Sequence, residues 1–286
     1  MTTSISSAAM LVDLRISVWT ARKKAKDEEA QLIQDSNARS AKAASVHKHL
    51  LADAEPLMAV GRWASDCRQW LYLHTLPWSD NGARLLPTAQ FFTFKTEVTQ
   101  RETHFWQLVH AFEQQYPVLI TSMALQLGSL FKRSEYPDPR DIVSKFGFYP
   151  TFYPVPEAGD FRVDIPSDAL KELKANYSAE ADRRVELAMK DAWDRLHATI
   201  VHMREKLEPS TDGKTKRIHA TMLGNAGELC SVLTALNITG DPKLEEARRK
   251  LEGIVDRTDT ESLRDSDELR ASVKKQLDDL NDKFNF

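Results

Sequence analysis

The sequence predicts a mostly α-helical protein, an elongated bundle of long helices, and three observations lead to this class. Glycine is scarce, at 10 of 286 residues, whereas sandwiches, barrels and phosphate-binding α/β folds need glycine at tight turns and close backbone approaches. Residues 91–132 and 167–208 carry apolar side chains at helical spacing over long stretches. Hydrophobic residues make up 42% of the chain, which is enough for a sizeable core.

A short strand is predicted at residues 10–19, ahead of the helices. Val12, Leu14 and Ile16 fall on one side of an extended chain, and the residues between them are polar. This alternation with a period of two is typical of a half-buried strand. From about residue 20 to 53 the sequence is polar and rich in alanine, which predicts the first helix.

The second helix is predicted to follow Pro56, since proline breaks or kinks a helix that would run through it. Apolar side chains at three- and four-residue steps from Leu57 to His74 form one broad face of this helix. Prolines and an Asn-Gly pair between residues 77 and 87 then predict a loop.

The third and fourth helices, at 91–132 and 167–208, carry the clearest helical patterns in the chain. In each, apolar residues recur at the steps of a coiled-coil seam, which keeps one side facing a partner helix. The seam of the third helix is Phe91, Val98, Phe105, Phe112 and Leu119, and that of the fourth is Met189, Trp193, Leu196, Ile200, Met203 and Leu207. We expect the two helices to form an antiparallel, coiled-coil-like hairpin with these seams in contact.

Residues 136–166, which connect those two helices, are rich in aromatic residues and proline. Turn residues and an alternating stretch at 161–165 predict a small β-hairpin or extended loop at the tip of the helical hairpin. The candidate interaction surface on this tip consists of Phe148, Tyr149, Phe152 and Tyr153.

The rest of the chain predicts a fifth helix at 216–236 and a sixth that begins at the N-cap Asp241, with proline at its first position. Residues 256–286 are highly charged with a thin apolar stripe, which predicts a helical tail. The predicted organisation is one helical bundle over 1–255, with the tip inserted at 136–166, followed by the tail.

The charge of the chain argues against a general affinity for nucleic acid, because a net charge of −3 provides no global positive field for a phosphate backbone. A local basic cluster, Arg22, Lys23 and Lys24, has acidic residues directly after it. Alternating charges of this kind are typical of a solvated helix face, and nucleic-acid contact is the alternative interpretation.

The two cysteines, Cys67 and Cys230, lie among apolar residues at helical spacing, which predicts two buried, reduced thiols in a reducing compartment. The first apolar stretch contains Asp13 and Arg15, unlike a signal peptide. No run approaches the ~20 apolar residues that a membrane-spanning helix needs. We therefore expect a soluble, cytoplasmic protein.

The sequence shows no pattern for catalysis, a cofactor or a metal. His104 and His110 are six residues apart and His197 and His202 are five apart, whereas a helical zinc site needs a spacing of four. Cys-x-x-Cys, the glycine-rich phosphate-binding loops and the nucleophile elbow are all missing from the sequence. We therefore predict a non-enzymatic protein with no catalytic, cofactor-binding or metal-binding residues.

Four groups of residues punctuate the sequence. They are Trp19-Thr20-Ala21-Arg22-Lys23-Lys24; Asn81-Gly82-Ala83-Arg84-Leu85-Leu86-Pro87; Leu127-Gly128-Ser129-Leu130-Phe131 with Tyr136-Pro137 and Pro154-Val155-Pro156; and Leu236-Asn237-Ile238 with Asp241. With them the chain resembles, over most of its length, an uncharacterised protein family found mainly in bacteriophages and prophages. The resemblance implies a shared fold and no particular activity. Genes of the family are associated with a MoxR-like AAA ATPase and a von Willebrand A-type protein, which implies a partner at most.

These observations favour a phage-encoded, non-enzymatic helical protein that acts by assembly in the host cytoplasm, with itself or with the partner ATPase system. One alternative is a membrane-active helical protein with a β-tip, since long helices joined by an aromatic tip are similar in outline to α-helical pore-forming toxins. Another is a nucleic-acid-binding protein of phage replication or recombination that uses Arg22, Lys23 and Lys24.

Overall fold

The structure of the chain, a computed structural model, describes residues 5–79, 82–157, 167–208 and 217–284. In chain order its helices are α1 (Ile5–Ala8), α2 (Lys26–Asp35), α3 (Glu55–His74), α4 (Phe91–Gln126), α5 (Ser167–Leu207), α6 (Thr221–Leu236), α7 (Pro242–Asp256), α8 (Thr260–Asp265) and α9 (Asp267–Phe284). Its strands are β1 (Ala9–Ser17), β2 (Arg22–Lys24), β3 (His47–His49), β4 (Leu76–Pro77), β5 (Arg84–Pro87) and β6 (Gly147–Pro154). Helices dominate, so the prediction of a mostly α-helical protein is confirmed.

Several elements lie where the sequence predicts them. The strand expected at 10–19 is β1, and the helices expected after Pro56 and at 167–208 are α3 and α5. The start of α7 is also confirmed, because the carboxylate of Asp241 accepts a hydrogen bond from the backbone N–H of Lys243 at 2.9 Å. Helix α6 begins at Thr221, five residues after the predicted start at 216, because residues 217–220 are not helical.

The chain folds into two compact units. The first unit takes its described residues from Met1–Asp13, Trp70–Phe94 and Thr151–Phe286, and the second from Leu14–Gln69 and Lys95–Pro150. The chain passes from one unit to the other within β1, α3, α4 and β6, and not within loops.

The core of the first unit is helical, with α5, α6, α7 and α9 packed on one another. It includes Leu196 of α5, Leu233 of α6 and Leu251 of α7, all fully buried. Leu277 of α9 is fully buried in the same core. The C-terminal helix therefore belongs to the first unit, and the predicted boundary at residue 255 does not coincide with the division of the chain.

A four-stranded sheet has the strand order β4-β5-β1-β6. Both β1 and β4 run antiparallel to β5, with Leu11 and Leu76 as the partners of Leu85. The loop predicted at 77–87 is thus a short hairpin, because it contains a leucine pair that the sheet buries. Gly82 in this hairpin has a φ of 125°, a conformation that residues with a Cβ rarely adopt.

The predicted hairpin between the third and fourth helices is wrong. Phe105 of α4 packs on Trp63 with ring centroids 6.0 Å apart, and Phe112 of α4 packs on Trp19 at 6.4 Å. The buried side of α5, which includes Leu196, packs on α6, α9 and β4. A seven-residue repeat indicates that one side of a helix is covered, but it does not identify the element that covers it.

The helix predicted over residues 20–53 is also wrong, since this stretch contains β2, the short helix α2 and β3. Ala21 and Asn37 have φ angles of 48° and 49°, and a helix cannot continue through the left-handed conformation. Alanine-rich polar composition favours a helix locally, but pairing of β2 with β3 overrides this preference.

The tip predicted at 136–166 is replaced by a 3₁₀ turn at Ile142–Lys145 and the strand β6. This strand is the outer member of the sheet beside β1, so it is not the tip of a helical hairpin. The alternating stretch predicted at 161–165 lies outside the described residues. The third helix, α4, runs through Pro117 and ends at Gln126, before the predicted end near 132.

The C-terminal end of α3 is capped by side chains from two other elements. The Oγ1 of Thr75 donates to the carbonyl of Leu71 at 2.5 Å and accepts from Nε of Arg84 at 2.6 Å. Arg195 of α5 donates to the carbonyls of Leu73 and Thr75 at 3.0 and 2.9 Å. Burial, together with the nearby charge of Arg195, lowers the pKa of the Arg84 guanidinium to about 10. These bonds satisfy carbonyl groups that a helix end otherwise leaves unpaired.

Replacing Thr75 by valine tests this cap. Thr75 is fully buried, so Thr75→Val keeps the shape of the side chain but leaves an N–H of Arg84 without its acceptor. We expect a loss of about 1–3 kcal/mol in the free energy of unfolding, measured by urea titration. Thr99→Val is the control, because the Thr99 hydroxyl also bonds to a carbonyl four residues back but is exposed. Equal losses in both variants would contradict the cap.

Cys67 and Cys230 are free and buried, as the sequence predicts. Burial raises the pKa of both thiols to about 11, with the charges of nearby arginines acting in the opposite direction. At neutral pH almost none of either cysteine is therefore in the reactive thiolate form.

The folded protein is accordingly expected to resist a thiol reagent. Neither Cys67 nor Cys230 should react with Ellman's reagent within minutes at pH 8, and both should react at once in guanidinium chloride. Ser272→Cys, at an exposed position of α9, provides a thiol that should react in the folded state. Rapid reaction of a native cysteine without denaturant would contradict the burial.

Candidate interaction surfaces

The four aromatic residues predicted as an interaction surface all lie on β6, where they alternate between buried and exposed sides. Phe148 is 3% exposed and packs on Trp63 and Phe105, with ring centroids 6.2 and 5.7 Å apart. Tyr149 is 54% exposed. Phe148 therefore belongs to the core of the second unit and is not available to a partner.

The other two members follow the same alternation within the first unit. Phe152 is half-buried and meets the rings of Phe91 and Phe94 edge-on, at 5.5 and 6.3 Å. Tyr153 is 36% exposed, and partial burial with the nearby carboxylate of Asp13 raises its pKa. The predicted surface is thus reduced to two tyrosines, a result that the period of two along a strand could have indicated.

The basic cluster predicted on a helix lies instead on β2, which pairs with β3 in a two-stranded antiparallel ribbon. The cross-strand pairs are Arg22 with His49, Lys23 with Lys48, and Lys24 with His47. We call these six residues the basic ribbon. All of them are exposed except Lys48. The histidines were not grouped with the basic cluster from the sequence, because 22 residues separate the two strands.

Lys48 attaches the ribbon to the rest of the second unit. Its side chain is 7% exposed, and its ammonium group lies 2.6 Å from a carboxylate oxygen of Glu135 and donates to the carbonyl of Leu130 at 3.0 Å. Just beyond β3, the hydroxyl of Tyr136 donates to the carbonyl of Leu50 at 2.7 Å. These contacts fix the position of the ribbon and leave its remaining side chains in solvent.

The outer side of α4 carries a second seam, opposite to the buried seam that contains Phe105 and Phe112. Its members recur at steps of four and three residues, are all exposed and carry no carboxylate, ammonium or guanidinium group; they are Gln100, His104, Gln107, Ala111, Gln114, Val118, Thr121 and Leu125. We call them the outer seam. Val118 and Leu125 are 71% and 87% exposed, and no charged residue occurs from 114 to 131.

The described residues also form two grooves in the first unit. One, of about 400 Å³, lies between α5 and α6 and includes His202 and His219 in its lining, but no aspartate, glutamate or cysteine of the described chain. The other, of about 370 Å³, lies between α7 and α9 and is lined by arginine, lysine and apolar side chains together with Gln276 and Asp279. Neither groove places a nucleophile beside a base that a carboxylate orients, which is the usual arrangement for covalent catalysis.

No group of three or more histidine, cysteine, aspartate or glutamate side chains among the described residues is arranged to hold a metal ion. None of the described helices is long and apolar enough to cross a membrane.

No protein-family model, curated protein or solved structure matches the chain.

The attachment of the ribbon gives a test of stability. Lys48→Met should remove the partner of the mostly buried Glu135, and we expect a loss of about 2–3 kcal/mol in the free energy of unfolding. The matched control is Lys132→Met, because the Lys132–Asp27 pair at 2.9 Å is exposed and such pairs contribute about 1 kcal/mol or less. A Lys48→Met protein as stable as the control by chemical denaturation would show that the Lys48–Glu135 pair does not stabilise the unit.

Proposed function

We propose that the chain is a non-enzymatic helical interaction protein that binds a helix of a protein partner on the outer seam of α4. As the resemblance in its sequence implies, the proposal includes a phage origin and action in the cytoplasm of the host cell. The MoxR-like AAA ATPase and the von Willebrand A-type protein that the resemblance implies are the first partners to test.

The outer seam is the observation that supports this function. Steps of four and three residues follow one straight line along a helix, which is the line that a second helix covers when two helices pack side by side. From Gln100 to Leu125 the seam is about 37 Å long at 1.5 Å per residue, enough for several turns of a docked helix. Solvated helix faces usually carry charged residues, as the exposed faces of α2 and α9 do. The cores of protein interfaces, in contrast, are depleted of charged residues.

The composition of the outer seam indicates reversible binding of a partner. Val118 and Leu125 are its only large apolar members, and the others are small or polar. Obligate homodimer interfaces are more hydrophobic than this, whereas reversible interfaces are about as apolar as the rest of a protein surface. A helix of a different protein, with apolar residues at a matching spacing, is therefore the occupant that fits the seam better than a second copy of the chain.

Positive charge placed in the outer seam should weaken binding of the partner. We expect Val118→Arg with Leu125→Arg to weaken binding to the MoxR-like ATPase or the von Willebrand A-type protein at least tenfold, measured by calorimetry with purified components. The control is Leu32→Arg with Met58→Arg, which adds the same charge at apolar positions of the second unit that are 46% and 47% exposed. Light scattering after size exclusion shows in parallel whether the chain associates with itself.

Each outcome has a meaning for the proposal. Binding that only the seam variant loses supports it. Equal loss of binding in the seam and control variants contradicts the proposal. The proposal is also contradicted if the chain is strictly monomeric and binds neither the MoxR-like ATPase nor the von Willebrand A-type protein. A dimer that only Val118→Arg with Leu125→Arg dissociates would make the occupant a second copy of the chain and would contradict the choice of a different protein.

A further inference from the structure

The basic ribbon carries more positive charge than its surroundings compensate. Arg22 and Lys23 are exposed, and neither forms an ion pair within the described part of the chain. Lys24 does form one, with Glu29 at 2.9 Å. Two further carboxylates near the ribbon, those of Asp27 and Glu135, are each paired with a lysine.

The pKa values of these carboxylates agree with this pairing. A hydrogen bond from Lys132 lowers the pKa of Asp27, and one from Lys24 lowers the pKa of Glu29. Both carboxylates are therefore ionised at neutral pH and each is matched by its own cation. Lys26 and Glu28 at the start of α2 add one charge of each sign, so the charges of Arg22 and Lys23 remain as the local excess, although the net charge of the chain is −3.

The geometry of the ribbon spaces its cations regularly. Side chains alternate along a strand, so Arg22 and Lys24 share one face with the exposed His47 and His49. Lys23 lies on the other face, that of its cross-strand partner Lys48, and is itself exposed. Residues two apart on one strand are separated by about 6.6–6.8 Å. This is about two steps of the 3.4 Å that separate successive phosphates along the axis of one DNA strand. A two-stranded ribbon also has a width that the major groove of duplex DNA admits.

We propose that the basic ribbon binds the phosphate backbone of duplex DNA without reading its sequence. The fixed position of the ribbon supports this site, because Lys48 is held by Glu135 and the backbone that carries the exposed cations need not be ordered at the moment of binding. Each strand of the ribbon has only three residues, so it makes about two or three phosphate contacts. Binding of this kind is weak, with dissociation constants of roughly 10⁻⁴–10⁻⁶ M, and depends strongly on salt. The site is independent of the outer seam and of the function proposed for it.

The test is fluorescence anisotropy of a labelled 20-base-pair duplex with the full chain. Between 50 and 200 mM salt, two or three phosphate contacts should weaken wild-type binding by about 10- to 40-fold. Arg22→Gln with Lys23→Gln should weaken binding at 50 mM salt by at least tenfold and should flatten its salt dependence. Both side chains are exposed, so thermal unfolding should be unchanged.

The matched control removes the same two charges elsewhere. Arg257→Gln with Lys275→Gln changes exposed side chains of the first unit and should bind the duplex like the wild type. Three results overturn the proposal: no binding to the duplex at 50 mM salt, equal weakening in the two double variants, or binding that Arg22→Gln with Lys23→Gln leaves unaffected. Vesicles that contain phosphatidylserine are tested alongside, and tighter binding to them than to the duplex would overturn it as well, in favour of a membrane surface.

Discussion

The last turn of α3 ends in the first unit, where its carbonyl groups are bound by two arginines from distant parts of the chain. Arg84 comes from β5 and Arg195 from α5, and both converge on Thr75. The two positively charged guanidinium groups repel each other, which contributes to the lowered pKa of Arg84. The arrangement is maintained because both guanidinium groups donate to carbonyl or hydroxyl oxygens and Arg195 also forms an ion pair with Asp191 at 2.5 Å. An unpaired buried group costs more than a typical hydrogen bond contributes. The positions of the hairpin and of the longest helix in the first unit thus depend on one helix end.

Local patterns predicted the elements of this fold better than their partners. The strand β1, the helices α3 and α5 and the capped start at Asp241 could be read from periodicity and cap residues, which depend on a few neighbouring side chains. The residues that cover α4 could not be predicted, because a stripe of phenylalanines indicates burial and is equally compatible with Trp63, Trp19 or another helix as its cover. The stretch from 20 to 53 was misjudged for a related reason, since β2 becomes a strand only through its long-range pairing with β3.

For the candidate surfaces too, local composition could be predicted from the sequence, whereas burial and long-range neighbours could not. The aromatic residues of β6 have the composition of an interface, but strand alternation assigns the phenylalanines to the interior and the tyrosines to solvent. The basic cluster was visible in the sequence, whereas its histidine neighbours required the β2–β3 register. The outer seam of α4 gives little signal in the sequence, because the buried seam on the opposite side of the same helix has much larger side chains. Glutamine, threonine and alanine give no signal of hydrophobicity, and only the exposure of the whole stripe makes its lack of charge informative.

The order in which the two units occur along the chain affects how they form on the ribosome. All residues of the second unit precede residue 151, whereas the core of the first unit requires helices up to α9. At about 5–20 residues per second, roughly 7–27 s pass between the synthesis of residue 150 and that of residue 286. During that interval β1, α3 and α4 have been made, but the helices α5, α6, α7 and α9, which share a core with Leu11, Leu76 and Leu85, have not. The N-terminal part of the first unit, with Leu76 and Leu85, therefore stays without its core until the last helix emerges.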